Sequence, residues 1–153
     1  MTTQIIPKSW LSWDFKVSDE SSPVANIALN RWRDKGELTV GGATYRVYRE
    51  ERAFVLEGAD GVLARAEKAS VFRHKLVIRH AAREYTLRHR SIFRPAFVLL
   101  DGSREVGSIV PEGIFTRKAA VDLPPDLVLP LRLFIVWLTI MSWRQDAAAA
   151  GGC

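Results

Sequence analysis

The chain has 153 residues, of which 48% are hydrophobic and 25% are charged, the ordinary composition of one globular domain with its own core. Its only cysteine is Cys153, which excludes an intrachain disulfide and a metal site built on cysteines. The net charge is +5, and the first residues lack the charged-then-apolar layout of a secretory signal, so we expect a cytoplasmic location.

Short β-strands are predicted along most of the chain. Ser9–Val17 and Val24–Arg33 predict the first two strands, and four hairpins follow around short turns, of which three contain Gly-Gly or Asp-Gly. The hairpins pair Glu37–Val40 with Ala43–Arg49, Phe54–Glu57 with Val62–Glu67, Lys75–His80 with Glu84–Arg90, and Phe97–Leu100 with Arg104–Val110. Ile114–Asp122 adds a last strand. The pattern predicts a meander of about eleven or twelve antiparallel strands.

A long apolar run, Leu127 to Trp143, follows the last strand and predicts a helix over residues 126–144. Asp126 stands at its start, where a carboxylate complements the helix dipole, and Pro130 lies in or near the first turn. The polar residues within the run share one narrow stripe of the helix: Arg132, Thr139 and Ser142. Residues 147–153 predict a flexible tail.

The apolar helix has two possible locations, a protein core and a bilayer. About eleven strands leave a lumen wider than their own side chains fill, and a central helix fills such a lumen. We therefore predict one domain, residues 1–146, that forms a closed antiparallel barrel with the C-terminal helix at its centre. A membrane anchor is the alternative, since the helix is long enough to span a bilayer, although Arg132 and Pro130 offset most of the free energy of insertion.

Two segments resemble the strand–Asp-Gly–strand repeat of the tubby C-terminal-like families, which include LURP-one-related proteins and phospholipid scramblases. They are FVLLDGSREVGSIVP, Phe97 to Pro111, and a weaker copy, FVLEGADGVLARAEK, Phe54 to Lys68; Asp126 before the last helix is also similar. The resemblance implies a barrel threaded by a C-terminal helix and an association with lipid or membrane surfaces. The cysteine-rich and calcium-binding segments of scramblases are not seen here, so the chain is most similar to the compact LURP-one-like group.

Basic residues are concentrated in one stretch, from Arg73 to Arg94, which we call the basic segment. It holds seven basic residues against Glu84 alone, so it carries +6 where the whole chain carries +5. Its candidate headgroup-binding residues, expected on an outer face of the sheet, are Arg73, Lys75, Arg79, Arg88, Arg90 and Arg94. A solvated exterior that needs charge for solubility is the competing interpretation.

Other chemistries find less support in the sequence. Nucleic acid is disfavoured as a partner because Tyr85 falls on the apolar face of its strand, away from the basic residues. His74, His80 and His89 lie in the basic segment without a carboxylate or cysteine that completes a metal-ligand set, and no other cofactor is predicted. No Gly-x-Ser-x-Gly elbow occurs, and adjacent Glu50 and Glu51 point apart on a strand, so no catalytic residue is predicted.

We therefore expect a non-enzymatic binding module that recognises anionic phospholipid or a membrane surface through the basic segment. It would be cytoplasmic, with peripheral attachment to a membrane. Two alternatives stay open: a tail-anchored membrane protein whose soluble β domain binds another protein, and a scaffold or regulatory protein with no lipid role.

Overall fold

The computed structural model describes residues 3–7, 15–19, 22–29, 35–40, 42–68, 75–91, 94–111, 119–124 and 126–151, with side chains over 35–39, 42–68, 75–90, 96–111, 119–124 and 126–143. This part of the chain forms twelve β-strands followed by one α-helix. The strands are β1 Thr3–Pro7, β2 Phe15–Asp19, β3 Ser22–Leu29, β4 Gly36–Val40, β5 Ala43–Glu50, β6 Ala53–Gly58, β7 Gly61–Lys68, β8 Lys75–His80, β9 Arg83–Ser91, β10 Arg94–Asp101, β11 Arg104–Pro111 and β12 Ala119–Asp122; the helix α1 is Leu129–Gly151.

The strands form an antiparallel sheet in which each pairs with the next along the chain. In addition, β1 pairs with β12, where Thr3 lies opposite Val121 and Ile5 opposite Ala119, so β1 has a partner on both sides. The predicted fold class, mainly β with one C-terminal helix, is confirmed at this level.

The four predicted hairpins are confirmed, as β4–β5, β6–β7, β8–β9 and β10–β11. The other predicted strands are only partly described. The predicted strand Ser9–Val17 is described only from residue 15 onwards, where it forms the start of β2. The predicted strand Val24–Arg33 is described as far as Leu29, in β3. The predicted last strand, Ile114–Asp122, is described from Ala119, where β12 begins. The prediction missed β1, which has only five residues and little alternation.

Alternation of apolar and polar residues sets the two faces of the sheet. In β8 Leu76 and Ile78 are buried while Lys75 and Arg79 are exposed, as the sequence pattern predicts. Across the turn, the partners of the two apolar residues, Leu87 and Tyr85, are also buried. One face of the sheet therefore supplies the core and the other faces solvent.

Two pairs of hairpins repeat the same register. In β6–β7 Phe54 pairs with Ala66, and in β10–β11 Phe97 pairs with Ile109 at the equivalent position. Both hairpins have a register shift at the same place, after Leu56 and after Leu99. In the preceding hairpins Leu38 pairs with Tyr45 as Ile78 pairs with Tyr85. The unit β4–β7 is thus repeated by β8–β11, which extends the sequence similarity between the segments that begin at Phe54 and Phe97.

The helix α1 is buried on every side through its middle. All nine residues from Leu133 to Met141 are buried, a run of more than two helical turns that leaves no face open to solvent. The rings of Phe54 on β6 and Trp137 pack edge to face, with their centroids 5.4 Å apart. Among the buried residues Thr139 is polar, and its hydroxyl donates to the carbonyl of Ile135 one turn back, at 3.0 Å.

The helix boundaries differ from the prediction at both ends. The helix begins at Leu129, with the Val128 carbonyl accepting from the backbone N–H groups of Leu131 and Arg132. Asp126 lies before the helix rather than in its first turn. At the other end the helix continues through the predicted flexible tail to Gly151, because the four consecutive alanines have the highest intrinsic helix propensity of any residue. Pro130 is in the first turn, as predicted, where its missing N–H costs little.

Candidate functional site

The structure separates the six predicted headgroup-binding residues into groups with different surroundings. Arg73 lies outside the described residues, and for Arg94 only the backbone, in β10, is described. The other side chains are exposed on β8 and β9: Lys75, Arg79, Arg88 and Arg90. These four lie on the solvent face of the sheet, as the alternation of the two strands predicts.

Lys75 and Arg88 are brought directly opposite each other. They are cross-strand partners in β8 and β9, a relationship that places Cβ atoms about 4.5–5.5 Å apart. Two like charges in this position repel each other and destabilise the pair. The Arg88 guanidinium donates to the backbone carbonyl of His89 at 3.1 Å, and neither side chain forms an ion pair within the described part of the chain. Their positive charge is therefore not neutralised by a neighbouring carboxylate.

Arg79 is paired with acidic residues. Its Nε lies 3.2 Å from Glu84 in the same hairpin, and its Nη1 lies 4.0 Å from Glu67 on β7. The sequence pattern identifies Glu84, but it does not show that the neighbouring hairpin places Glu67 beside the same guanidinium. Arg79 is thus a weaker candidate for binding an anion than its position in the basic segment suggests.

Arg90 is paired over a longer range. Its guanidinium lies 2.8 Å from Glu105 of β11, although β10 runs between the two strands. The ion pair therefore passes over β10. There Val98, the cross-strand partner of Arg88, points to the same side of the sheet and is nevertheless buried. The stems of long charged side chains commonly cover apolar surface in this way.

The unit β4–β7 has an ion pair similar to that of Arg90 and Glu105 in the unit β8–β11. Glu50 of β5 lies 3.3 Å from Arg65 of β7, so this pair passes over β6, where Val55 is buried on the outer side. Close by, the Tyr48 hydroxyl donates to Glu57 at 2.7 Å. This hydrogen bond, with a smaller effect of desolvation and of the carboxylate charge, raises the pKa of Tyr48 above its ordinary value of 10.0. Glu50 is therefore paired with a guanidinium across the sheet.

A shallow groove of about 570 Å³ opens beside the ion pair of Glu50 and Arg65. It is lined by Glu50, Glu51, Arg52, Ala53, Arg65 and Glu67. Glu51 lies in the β5–β6 turn with a φ of 55° and accepts a hydrogen bond from Arg49 through its carbonyl. The groove is lined by both carboxylates and guanidinium groups, so its walls have no single sign of charge that would select a ligand.

Arg83, the remaining basic residue of the segment, lies at the opposite end of the sheet from Lys75. Its guanidinium donates to the Tyr85 hydroxyl at 3.1 Å and lies 3.5 Å from Asp126. The interaction with Tyr85, followed by those with the acidic residues, raises the pKa of Arg83. Arg83 therefore lies between the β8–β9 turn and the segment before α1, a contact that the sequence pattern did not predict.

The histidines do not converge. His74 lies outside the described residues, and the half-buried His80 donates from Nδ1 to the Leu63 carbonyl at 2.8 Å. His89 faces the core, with its ring centroid 4.2 Å from that of Phe97. Over the ranges that the structure describes, no group of three or more histidine, cysteine, aspartate or glutamate residues is close enough to hold a metal ion.

The three residues of the predicted polar stripe of α1 differ in burial. Thr139 is fully buried and is satisfied by its own helix, whereas Arg132 and Ser142 are half-buried. Two buried nitrogens on the helix, Nε of Arg132 and Nε1 of Trp137, have no hydrogen-bond partner in the described structure. Unsatisfied buried donors are uncommon in folded proteins.

No protein-family model matches the chain, and no curated protein or solved structure matches it either. Within the described residues, no helix has the combined length and hydropathy required to cross a membrane.

Proposed function

We propose that this protein is a non-enzymatic binding module that recognises an anionic phospholipid surface, with Lys75 and Arg88 as the principal contacts. The observation that carries the proposal is the opposition of these two exposed cations, which no described carboxylate neutralises. Keeping like charges opposite each other costs stability, and an anionic surface would remove that cost when it binds. Arg90, ion-paired with Glu105, would add a smaller contribution.

We further propose that the twelve strands close into a barrel around α1, the arrangement expected from the resemblance to tubby C-terminal-like families. The pairing of β1 with both β2 and β12 supports closure. The burial of every residue from Leu133 to Met141 supports a central position for the helix. In such a barrel the core is filled by protein, so the lipid surface would be met by the outer face of β8 and β9.

Vesicle co-sedimentation tests the proposed contacts. We expect binding to phosphatidylcholine vesicles that contain phosphatidylserine, weakening as salt is raised, and no binding to phosphatidylcholine alone. A basic residue near an anionic leaflet contributes about 1 kcal/mol, so K75Q and R88Q should each weaken binding about fivefold.

Two control variants make the test specific. R104Q removes the same charge from an exposed position in β11 and should leave binding nearly unchanged. R79Q removes a charge from the basic segment that is already paired with Glu84 and Glu67, and should have a smaller effect than R88Q. Equal binding to neutral and acidic vesicles would contradict the proposal and favour the tail-anchored alternative. No binding to either would favour a scaffold with no lipid role.

A further inference from the structure

Arg132 is a half-buried cation in the first turns of α1 with no partner in the described structure. Its Nε is buried and unsatisfied, and the guanidinium forms no ion pair with any described residue. A buried or half-buried charge is costly unless it is paired and hydrogen-bonded. The helix from Leu133 to Met141 is apolar apart from Thr139, so Arg132 places a cationic side chain beside this buried run with no acidic partner among the described residues.

The electrostatic setting of Arg132 favours an anion. The N-terminus of a helix carries a partial positive charge, and the first turn of α1 contains no acidic residue to balance it. Asp126, three residues before the helix, lies 3.5 Å from Arg83 and is thus already paired. The dipole and the guanidinium therefore act in the same direction, and a negatively charged group beside Arg132 would be stabilised by both.

Several apolar side chains are exposed or partly exposed at this end of the sheet, beside the charged pair of Arg83 and Asp126. Val128, just before the helix and four residues before Arg132, is 50% exposed, and Val62 at the start of β7 is 51% exposed. Three more apolar side chains at this end are only partly buried against the core, Leu63, Leu123 and Leu129. A small inorganic anion would leave this apolar surface in water, whereas an anion with an aliphatic chain would cover part of it.

We propose that Arg132 binds the headgroup of an aliphatic oxyanion, of the fatty-acid class, at the helix-start end of the sheet. The carboxylate of the ligand accepts hydrogen bonds from the guanidinium. The aliphatic chain of the ligand lies against the exposed and half-buried apolar residues around Val128 and Leu129. This site is at the opposite end of the sheet from Lys75 and Arg88 and does not depend on the proposed binding of a membrane surface.

Calorimetric titration of the full chain with decanoate below its micelle concentration tests the proposal. We expect saturable binding of one molecule that is weakened about tenfold or more in R132M, which keeps an unbranched apolar side chain but removes the charge. R132K, which retains a charge without the planar fork, should bind with intermediate affinity. Decanol and inorganic phosphate, which supply the chain or the anion alone, should each bind at least about tenfold more weakly.

The stability of the variants separates a ligand-binding role from a structural one. Without ligand, R132M should unfold at the same or a higher denaturant concentration than the unsubstituted protein, because it removes an uncompensated charge. R104M changes an exposed arginine and should bind decanoate normally, as should K75Q and R88Q. Failure of the unsubstituted protein to bind decanoate, or equal affinity in R132M, would overturn the proposal without affecting the vesicle experiment.

Discussion

The ring of Phe54 on β6 meets the indole of Trp137 on α1 at an interplanar angle of 66°, and this contact joins the sheet to the helix. Both residues are buried, and both lie at positions set by local pattern: Phe54 on the inner face of its strand and Trp137 in the middle of the apolar run. The contact allows the sheet and the helix to be tested as one cooperative unit.

F54A should reduce the free energy of unfolding by about 3–5 kcal/mol, because it removes a buried ring and leaves a cavity against Trp137. Urea unfolding followed by circular dichroism and by tryptophan fluorescence measures the loss, and both signals should shift together. V62A, at an exposed position of the next strand, should change stability by less than about 0.5 kcal/mol. A loss in F54A no larger than that in V62A would show that the sheet does not depend on this contact.

The sequence predicted the features of the fold that depend on local pattern. Alternation places Leu76 and Ile78 inside and Lys75 and Arg79 outside, and this is visible within six residues of chain. The helix was predicted because no other segment is apolar on every side. The predicted end of the helix is too early, because the low complexity of the alanines after Asp146 indicated a flexible tail, whereas their high helix propensity extends the helix.

The candidate site depended on relationships that a single segment does not contain. The pairing of Arg90 with Glu105 requires the register of three strands, and the sequence distance between the two residues gives no sign of it. Arg79 likewise meets Glu67 only because β7 is the neighbour of β8. Counting charges along the sequence therefore predicted a broad cationic surface. In the described structure Arg79 and Arg90 of that surface are paired with carboxylates, whereas Lys75 and Arg88 are not.

A81G should stabilise the protein. Ala81, in the β8–β9 turn, has a φ of 54°, a left-handed conformation that costs a residue with a Cβ about 1–2 kcal/mol. Glycine removes this strain but loses more backbone entropy on folding, so we expect a net gain of about 0.5–1 kcal/mol in the free energy of unfolding, measured in urea. G102A tests the reverse change, because Gly102 has a φ of 66° in the β10–β11 turn and open space around its Cα.

A82G is the matched control for the turn. Ala82 is adjacent to Ala81 but does not have a positive φ, so glycine there should destabilise the protein by about 0.5–1 kcal/mol through the entropy term alone. Equal effects of A81G and A82G would mean that backbone strain at Ala81 does not contribute to stability.

The hydrogen bond from Tyr48 to Glu57 should make stability fall at alkaline pH. The pKa of Tyr48 is raised above 10.0 in the folded protein, so the folded state retains this proton after the unfolded state has begun to release it. The stabilisation is therefore complete below pH 10 and is lost as the pH rises through the folded-state pKa. E57Q removes the charged acceptor and should bring the pKa of Tyr48 down towards its ordinary value. Phenolate absorbance, taken as the difference between the protein and Y48F, isolates this titration from Tyr45 and Tyr85. An unchanged Tyr48 titration in E57Q would show that Glu57 is not its cause.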